Sequence, residues 1–272
     1  MIPDKLTADY SENYSVSIRL MPAGLSFFGY IPAEKDSFFM ETFFFNREES
    51  TIDALRNIIF TNPCFSYIYR SFHVICVSEK YTMVVDHVFV EEKKDRLYAF
   101  CHQKDKPLKV FAQPVKALNT VLIFGIDDEV YTFLARSLAN PVFVHSLSPL
   151  LMAWHKKSLT VFPKLMHAVI HESTIDVLCI EQGDLLFLNS YEFDNDNDIL
   201  YYIMYICKQT GFSQLEDYLT ISGSQARCWP VLSIISKYIR QIDYLQPALE
   251  GYRVTLSDEP PLDVITFIEC GS

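Results

Sequence analysis

Glycine is scarce in this chain, with eight residues among 272. Because glycine accommodates tight turns and close backbone approaches, the positions that keep it are informative. Three of them, Gly24, Gly183 and Gly223, fall at the ends of predicted strands. The sequence contains neither the glycine-rich Walker loop nor the Gly-x-Ser-x-Gly nucleophile turn, which excludes P-loop NTPases and typical α/β-hydrolases.

Other features are missing as well. No apolar run approaches the roughly 18 residues that a membrane-spanning helix needs, and the first residues lack the apolar core of a signal peptide. We therefore expect a cytoplasmic protein without a membrane span. Basic residues are outnumbered by acidic ones, which gives the chain a net charge of −11. An acidic surface repels phosphate backbones, so we expect no nucleic-acid partner. The seven cysteines are scattered without a CxxC pair and are predicted to be reduced core thiols.

The composition is that of a folded globular protein, with 50% hydrophobic and 21% charged residues. Aromatic residues make up 14% of the chain, which favours strand-rich cores because aromatic rings pack well on pleated surfaces. The length allows one large core or two lobes of about 130 residues each.

The order of the predicted elements favours two lobes. Residues Tyr14–Ile31 have the pattern of a strand, a tight turn and a second strand, and Ser37–Asn46 continue as a third strand. Residues Thr174–Phe193 have the same strand–turn–strand pattern and are interpreted as the counterpart of the first hairpin. We therefore predict an α/β protein with lobes at 1–157 and 158–272, each a mixed sheet that carries helices.

Helices are predicted between these strands. Ser50 precedes apolar residues at helical spacing and is expected to cap a helix. The stretches Asp86–His102 and Pro230–Ile239 are also predicted to be helical.

Three short segments could contact a phosphate, because glycine at a turn or a helix N-terminus allows close backbone approach. The first is the turn Met21-Pro22-Ala23-Gly24. The second is Glu181-Gln182-Gly183, which Asp184 follows. The third is Ser222-Gly223-Ser224, between a predicted strand and a helix.

With these segments the chain resembles the actin-like ATPase superfamily, whose lobes have a ribonuclease H-like fold and which includes sugar kinases and PilM-type proteins. More particularly, it resembles a bacterial family of that fold known as a domain of unknown function. The resemblance covers essentially the whole chain. It implies a cleft between the lobes where ATP and Mg²⁺ bind in working members. The implied nucleotide contacts are Gly24, Glu181, Gly183, Asp184, Ser222, Gly223 and Ser224.

The first turn departs from the superfamily pattern, which has an Asp-x-Gly turn there. The carboxylate is missing, and Pro22 removes one N–H that could bind phosphate. Magnesium usually needs one or two carboxylates, and only Glu181 and Asp184 are candidates. The favoured hypothesis is therefore a non-catalytic scaffold or adaptor, with no catalytic residue and no metal ligand assigned. The alternatives are an ATP-dependent ATPase or kinase and a sensor that binds ATP without hydrolysis.

The sequence leaves the partner and the oligomeric state open. An adaptor needs an exposed apolar surface for a protein partner, and Phe43-Phe44-Phe45 is a candidate, although burial in the core is the favoured interpretation. His167 and His171 are four residues apart in a predicted strand without nearby cysteines or clustered carboxylates, so no metal site is predicted there.

Overall fold

The computed structural model describes residues 2–32, 34, 36–46, 48–102, 106–160, 164–245 and 260–270. Its strands are β1 (Ser15–Met21), β2 (Gly24–Tyr30), β3 (Phe39–Phe44), β4 (Ser71–Cys76), β5 (Tyr81–Val85), β6 (Leu108–Val115), β7 (Thr120–Asp127), β8 (Val142–His145), β9 (Leu165–Ile170), β10 (Thr174–Glu181), β11 (Asp184–Glu192), β12 (Tyr218–Gly223) and β13 (Gln241–Tyr244). Its helices are α1 (Thr51–Thr61), α2 (Lys94–Cys101), α3 (Asp128–Ser137), α4 (Leu147–Ser158), α5 (Asp196–Thr210), α6 (Gln225–Ile235) and α7 (Leu262–Glu269).

Two five-stranded sheets repeat one topology. The first sheet has the order β3-β2-β1-β4-β8, and the second has the order β11-β10-β9-β12-β13. In each sheet the first three strands in sequence form an antiparallel meander, and the fourth and fifth run parallel to the first. This repetition confirms the prediction of two mixed α/β sheets, which the element pattern alone could only suggest.

A third, three-stranded sheet is inserted into the first half, with the order β5-β7-β6. The sequence analysis missed β5 and predicted one helix over Asp86–His102. The structure has two short 3-10 turns there, at 86–88 and 91–93, and only α2 is α-helical. The β-branched Val88 and Val90 are exposed, so no core contact offsets their low helix propensity.

The helices begin and end at residues suited to those positions. The Ser50 side chain accepts a hydrogen bond from Asp53 N, which confirms the predicted N-cap of α1. Asn195 forms a capping box with Asp198 at the start of α5, and Gly211 ends that helix in the left-handed conformation. The helix predicted from Pro230 instead begins at Gln225, so Pro230 lies inside α6. The helix also ends at Ile235 rather than at Ile239.

Helix α4 connects the lobes and contributes to both. Its residues Leu150, Leu151 and Trp154 belong to the core of the first sheet, and that core continues into Leu178 and Ile180 of the second sheet. The second lobe has a separate core, on the other face of its sheet, beneath α5 and α6. Because α4 is buried against both sheets, it fixes their relative position.

Helix α7 returns to the first lobe from the far end of the chain. Its residues Val264, Ile265 and Ile268 pack against Phe28 of β2 and Ile75 of β4. One face of the first sheet is therefore covered by a segment that is remote in sequence.

The Phe43–Phe45 run divides between core and surface. Phe43 and Phe45 pack partly buried against the first core, whereas Phe44 is 78% exposed on the edge strand β3. The cysteines are free thiols; five are buried, and Cys101 and Cys270 are exposed. In the part of the chain that the structure describes, no helix has the length and apolar character needed to cross a bilayer.

Candidate functional site

Gly24 serves the packing of the first sheet. It begins β2 after the two-residue turn Pro22-Ala23. A Cβ added at Gly24 would lie 2.3 Å from the Phe43 carbonyl oxygen of β3. Phe45 N also donates to the Ala23 carbonyl, at 2.9 Å. The neighbouring strand therefore occupies the space that glycine leaves, and a phosphate is not needed to explain this residue.

The turn of the second predicted segment is held by α4. Gln182 and Gly183 both have positive φ, 50° and 93°, as a tight two-residue hairpin requires. Gly183 is buried, and its carbonyl lies 3.1 Å from His155 Nδ1. Glu181 pairs with Lys164 at 3.4 Å, while the Asp184 side chain faces solvent.

The third segment is built around a close backbone contact. Gly223 has φ 142°, and a Cβ there would lie 2.4 Å from the Ile170 carbonyl oxygen. Tyr244 donates its hydroxyl to the Gly223 carbonyl at 2.9 Å. Ser222 is buried within β12, and the exposed Ser224 precedes α6 without capping it through its side chain.

The strand register shows that the predicted residues do not form one site. Ile180, next to the Glu181–Asp184 turn, pairs with Leu165 at the start of β9, whereas Gly223 pairs with Ile170 at its end. These positions are roughly 17 Å apart along the strand. Gly183 and Gly223 therefore lie at opposite ends of the second sheet and cannot contact the same phosphate group.

The interpretation of Thr174–Phe193 as the counterpart of the first hairpin is wrong for the same reason. The first hairpin joins strands one and two of its sheet, whereas β10 and β11 are strands two and three of theirs. The topological equivalent of the Met21–Gly24 turn is the β9–β10 turn, which contains His171, Glu172 and Ser173.

This β9–β10 turn introduces a polar cluster that the sequence analysis missed. His171 Nε2 lies 2.8 Å from one Asp176 carboxylate oxygen, and Ser190 Oγ donates to the other. The Tyr81 hydroxyl of the first lobe lies 3.1 Å from Ser190 Oγ. We call Tyr81, His171, Asp176 and Ser190 the inter-lobe cluster. It connects the β5 strand of the inserted sheet to the second sheet.

One signal in the sequence could have revealed this cluster. Along β10, Asp176 lies on the same face of the strand as Leu178 and Ile180, and this face packs into the first core. A carboxylate at such a position is costly to bury unless it is paired. Asp176 therefore required partners, although the sequence could not identify them.

A buried ion pair lies in the same region. Arg19 Nε is 2.6 Å from Asp263 Oδ2, and the two side chains are only 9% and 7% exposed. Burial lowers the pKa of His171, but the hydrogen bond and charge of Asp176 outweigh it and raise the pKa overall. Asp263 raises this pKa further, and Arg19 opposes it. The ion pair and the inter-lobe cluster therefore influence each other electrostatically.

The order of groups in the cluster argues against nucleophilic catalysis. In a serine hydrolase the imidazole lies between the hydroxyl and the carboxylate and removes the hydroxyl proton. Here the Asp176 carboxylate lies between Ser190 and His171. His171 therefore cannot act as the base for Ser190 in this arrangement.

At the two equivalent turns, two backbone positions have no N–H available to a phosphate. Pro22 has no N–H to donate, and His171 N is already bonded to the Thr174 carbonyl at 2.9 Å. Among the described residues, no group of three or more His, Cys, Asp or Glu side chains could hold a metal ion.

Two cavities lie in the first lobe, and the smaller one borders the first turn. A cavity of about 210 Å³ is lined by Leu20, Met21, Pro22 and Asp127, among others. A larger cavity, of about 650 Å³, opens between α1 and α3 beside Arg56 and Phe133. All residues that line these two cavities belong to the first half of the chain.

His145 is a fully buried neutral histidine at the end of β8. Leu147 N donates to its Nδ1, so the ring proton is on Nε2, which donates to the Ser78 carbonyl at 2.9 Å. Burial lowers the pKa of His145 to about 4, although the charges of Asp176 and Asp263 and the bond to Ser78 partly oppose this.

We expect this histidine to make the protein sensitive to acid. Since its folded-state pKa is depressed, its contribution is present above the ordinary pKa of about 6.5 and is lost as the pH falls towards 4. The loss is on the order of 3 kcal/mol. Unfolding free energies measured across this range should fall less steeply in His145→Gln. The exposed His87→Gln serves as the control, and an equal slope in both variants would contradict the assignment.

The solved structures with similar folds define the class of protein. The chain matches a Bacteroides thetaiotaomicron protein with actin-like ATPase fold and unknown function at 29% identity and a TM-score of 0.86, over 99% of this chain and 100% of the other. It also matches a chain of the PilM–PilN type IV pilus biogenesis complex at 10% identity and a TM-score of 0.58, over 94% and 96% of the two chains. The protein has the actin-like ATPase fold, as the resemblance implied.

The family follows from a match over most of the sequence. The model of the family described as "Protein of unknown function (DUF3822)" matches residues 3–242. The chain belongs to this family. No curated protein matches the sequence significantly.

Proposed function

We propose that this protein is a non-catalytic adaptor of the cytoplasm, in which an actin-like ATPase fold presents surfaces to a protein partner. The observation that carries the proposal is the inter-lobe cluster. Tyr81 and Ser190 come from different lobes and are hydrogen-bonded to each other, whereas the superfamily resemblance implies a cleft between the lobes. A hydrogen bond between side chains of the two lobes favours a fixed arrangement of these lobes. It does not favour a cleft that opens and closes around a substrate.

Two further observations support a binding role. Gly24 and Gly223 are each explained by a backbone carbonyl of a neighbouring strand, so neither requires a nucleotide. A chain of similar fold occurs in a two-protein assembly, the PilM–PilN complex. The actin-like fold is therefore compatible with a role in protein assembly.

Thermal melting with ATP and Mg²⁺ tests the proposal against both nucleotide alternatives. A ligand at about 100 times its Kd stabilises the native state by about 2.7 kcal/mol, which would raise the melting midpoint of a protein of this size by roughly 5–10 °C. We expect no rise at millimolar ATP. ADP and Mg²⁺ alone are the controls.

If ATP does raise the melting midpoint, a variant at Ser224 tests whether the nucleotide binds beside this residue. Ser224 is exposed at the end of the fourth strand of the second sheet, so Ser224→Trp should fold normally and still obstruct a nucleotide there. A saturable ATP-dependent rise that disappears in Ser224→Trp would overturn the adaptor proposal in favour of an ATP-binding sensor. ATP hydrolysis by the original protein that is lost in Ser224→Trp would indicate an ATPase or kinase instead.

A further inference from the structure

Helix α7 fills a groove between the first sheet and α4. We call this surface the α7 groove, and it is formed by Arg19 of β1, Phe28 of β2, His73 and Ile75 of β4, and Pro149 of α4. The Phe267 ring lies edge-on to the His73 ring, with centroids 5.0 Å apart. At the other end of the helix, Cys270 Sγ lies 3.9 Å from the Pro149 carbonyl oxygen. The groove therefore holds a single helix along its whole length.

The walls of the groove do not depend on α7. Strand β1 is paired with both β2 and β4, and the main core of this lobe lies on the opposite face of the sheet. None of the buried residues of α7 belongs to that core or to the core of the second lobe. They form a smaller, separate cluster with the strands. Undocking of α7 would therefore expose one face of the sheet and leave the strand pairing and both main cores intact.

The most selective feature of the groove is the Arg19 guanidinium. The Arg19 side chain is only 9% exposed, and among the described residues its ion-pair partner is Asp263, in the first turn of α7. A buried charge that loses its partner strongly destabilises the structure that contains it. Any helix that occupies the groove must therefore bring a carboxylate to this position, and a basic or uncharged helix is disfavoured.

Helix α7 leaves other polar groups on this side of the sheet unsatisfied. His73 Nδ1 and the hydroxyl oxygens of Ser71 and Ser148 are buried and have no hydrogen-bond partner among the described residues. Ser71 lies on the same face of β4 as His73, and Ser148 precedes Pro149 in α4. A buried polar group without a partner is unfavourable. A helix with hydrogen-bonding side chains at these positions would therefore fit the groove better than α7 does.

We infer that the α7 groove is the docking site for a short apolar helix of the partner, and that α7 occupies the groove until this helix displaces it. The partner helix carries a carboxylate in its first turn that pairs with Arg19, followed by aliphatic side chains in the places of Val264 and Ile265. A second copy of this chain is disfavoured as the source, because it would supply only α7 itself and carries the same net charge of −11. The inference rests on the proposed adaptor function, for which it names the surface and the partner's chemistry.

A synthetic helix tests whether the groove accepts a segment of another molecule. The probe is a fluorescein-labelled peptide with the sequence of residues 260–269, measured by fluorescence anisotropy with the whole protein. In the original protein α7 competes, so we expect weak binding. In Asp263→Asn the resident helix loses its charge pair while the groove keeps Arg19, so binding should be at least about tenfold tighter. The matched control Glu91→Gln removes an exposed carboxylate elsewhere and should bind as weakly as the original protein.

A second peptide tests whether Arg19 selects the occupant. This peptide carries the Asp263→Asn change itself, and we expect it to bind the Asp263→Asn protein at least about tenfold more weakly than the first peptide. The protein variant Arg19→Met/Asp263→Leu has no guanidinium in the groove, so its preference for the carboxylate should disappear. Equal binding of the two peptides to the Asp263→Asn protein would overturn the inference.

Hydrogen exchange in the original protein tests the detachment of α7 without any substitution. The amides of α7 should exchange through local opening, with protection factors at least about tenfold lower than those of β1 and β4. Equal protection of α7 and these strands, no peptide binding to either protein, or a dimer in light scattering that exchanges α7 between copies would each overturn the inference. The melting experiment with ATP is independent of these outcomes, so a failed docking groove and a failed adaptor proposal give different results.

Discussion

Replacing Asp263 by alanine should lower the free energy of unfolding by about 3–5 kcal/mol, because it leaves the Arg19 guanidinium buried without a counter-charge. Arg19 Nε and Asp263 Oδ2 are 2.6 Å apart, and both side chains are almost fully buried. Chemical denaturation gives the stability change. Hydrogen exchange should show the largest loss of protection in α7, which this pair attaches to β1.

The control for this variant is a solvent-exposed pair on the same protein. Glu91 pairs with Lys94 on the surface, and its side chain is 57% exposed. Glu91→Ala should cost no more than about 1 kcal/mol. The double variant Arg19→Met/Asp263→Leu should recover much of the stability, since apolar residues remove the uncompensated charge. A small loss in Asp263→Ala would contradict the burial of this pair.

Replacing Gly223 by alanine should destabilise the protein by about 2–3 kcal/mol or more, because two penalties combine. The backbone is in a conformation that disfavours a side chain, with φ 142°, and the new Cβ would overlap the Ile170 carbonyl at 2.4 Å. This contact lies between the neighbouring strands β12 and β9, at the end of both. The midpoint of urea unfolding measures the effect.

Gly211 provides the matched comparison. It also has a positive φ, 64°, but the nearest atom to an added Cβ is Lys164 Nζ at 4.0 Å. Gly211→Ala should therefore cost only about 1–2 kcal/mol, the penalty of the left-handed conformation alone. Equal losses in the two variants would show that the carbonyl contact at Gly223 is unimportant. The comparison also shows why Gly223 variants are unsuitable for testing nucleotide binding, since they disturb the sheet itself.

The sequence predicted most of the elements, except β5 and the 3-10 turns before α2, but not the correspondence between the lobes. Alternating apolar residues identified the hairpins, and Ser50 marked the start of α1. The error arose because glycine was used to identify equivalent turns. The true equivalent of the Met21–Gly24 turn contains His171, Glu172 and Ser173, without a glycine. Only the strand order distinguishes these turns, and that order depends on pairing between distant strands.

The polar groups between the lobes were beyond local pattern analysis for a related reason. Tyr81 and Ser190 are 109 residues apart, and Arg19 and Asp263 are 244 residues apart. Neither pair has a characteristic spacing, because each joins elements that are far apart in the sequence. The glycines were predictable as special positions, but whether a ligand or a neighbouring strand required them was not.

The return of α7 to the first sheet has a consequence for biosynthesis. At about 5–20 residues per second, a ribosome needs roughly 12–50 s to proceed from Arg19 to Asp263. During that interval the nascent first lobe presents Phe28 and Ile75 to solvent, because the helix that covers them has not yet been made. Chaperones that recognise apolar strands therefore have a defined time window in which to bind this sheet, and it closes when α7 docks.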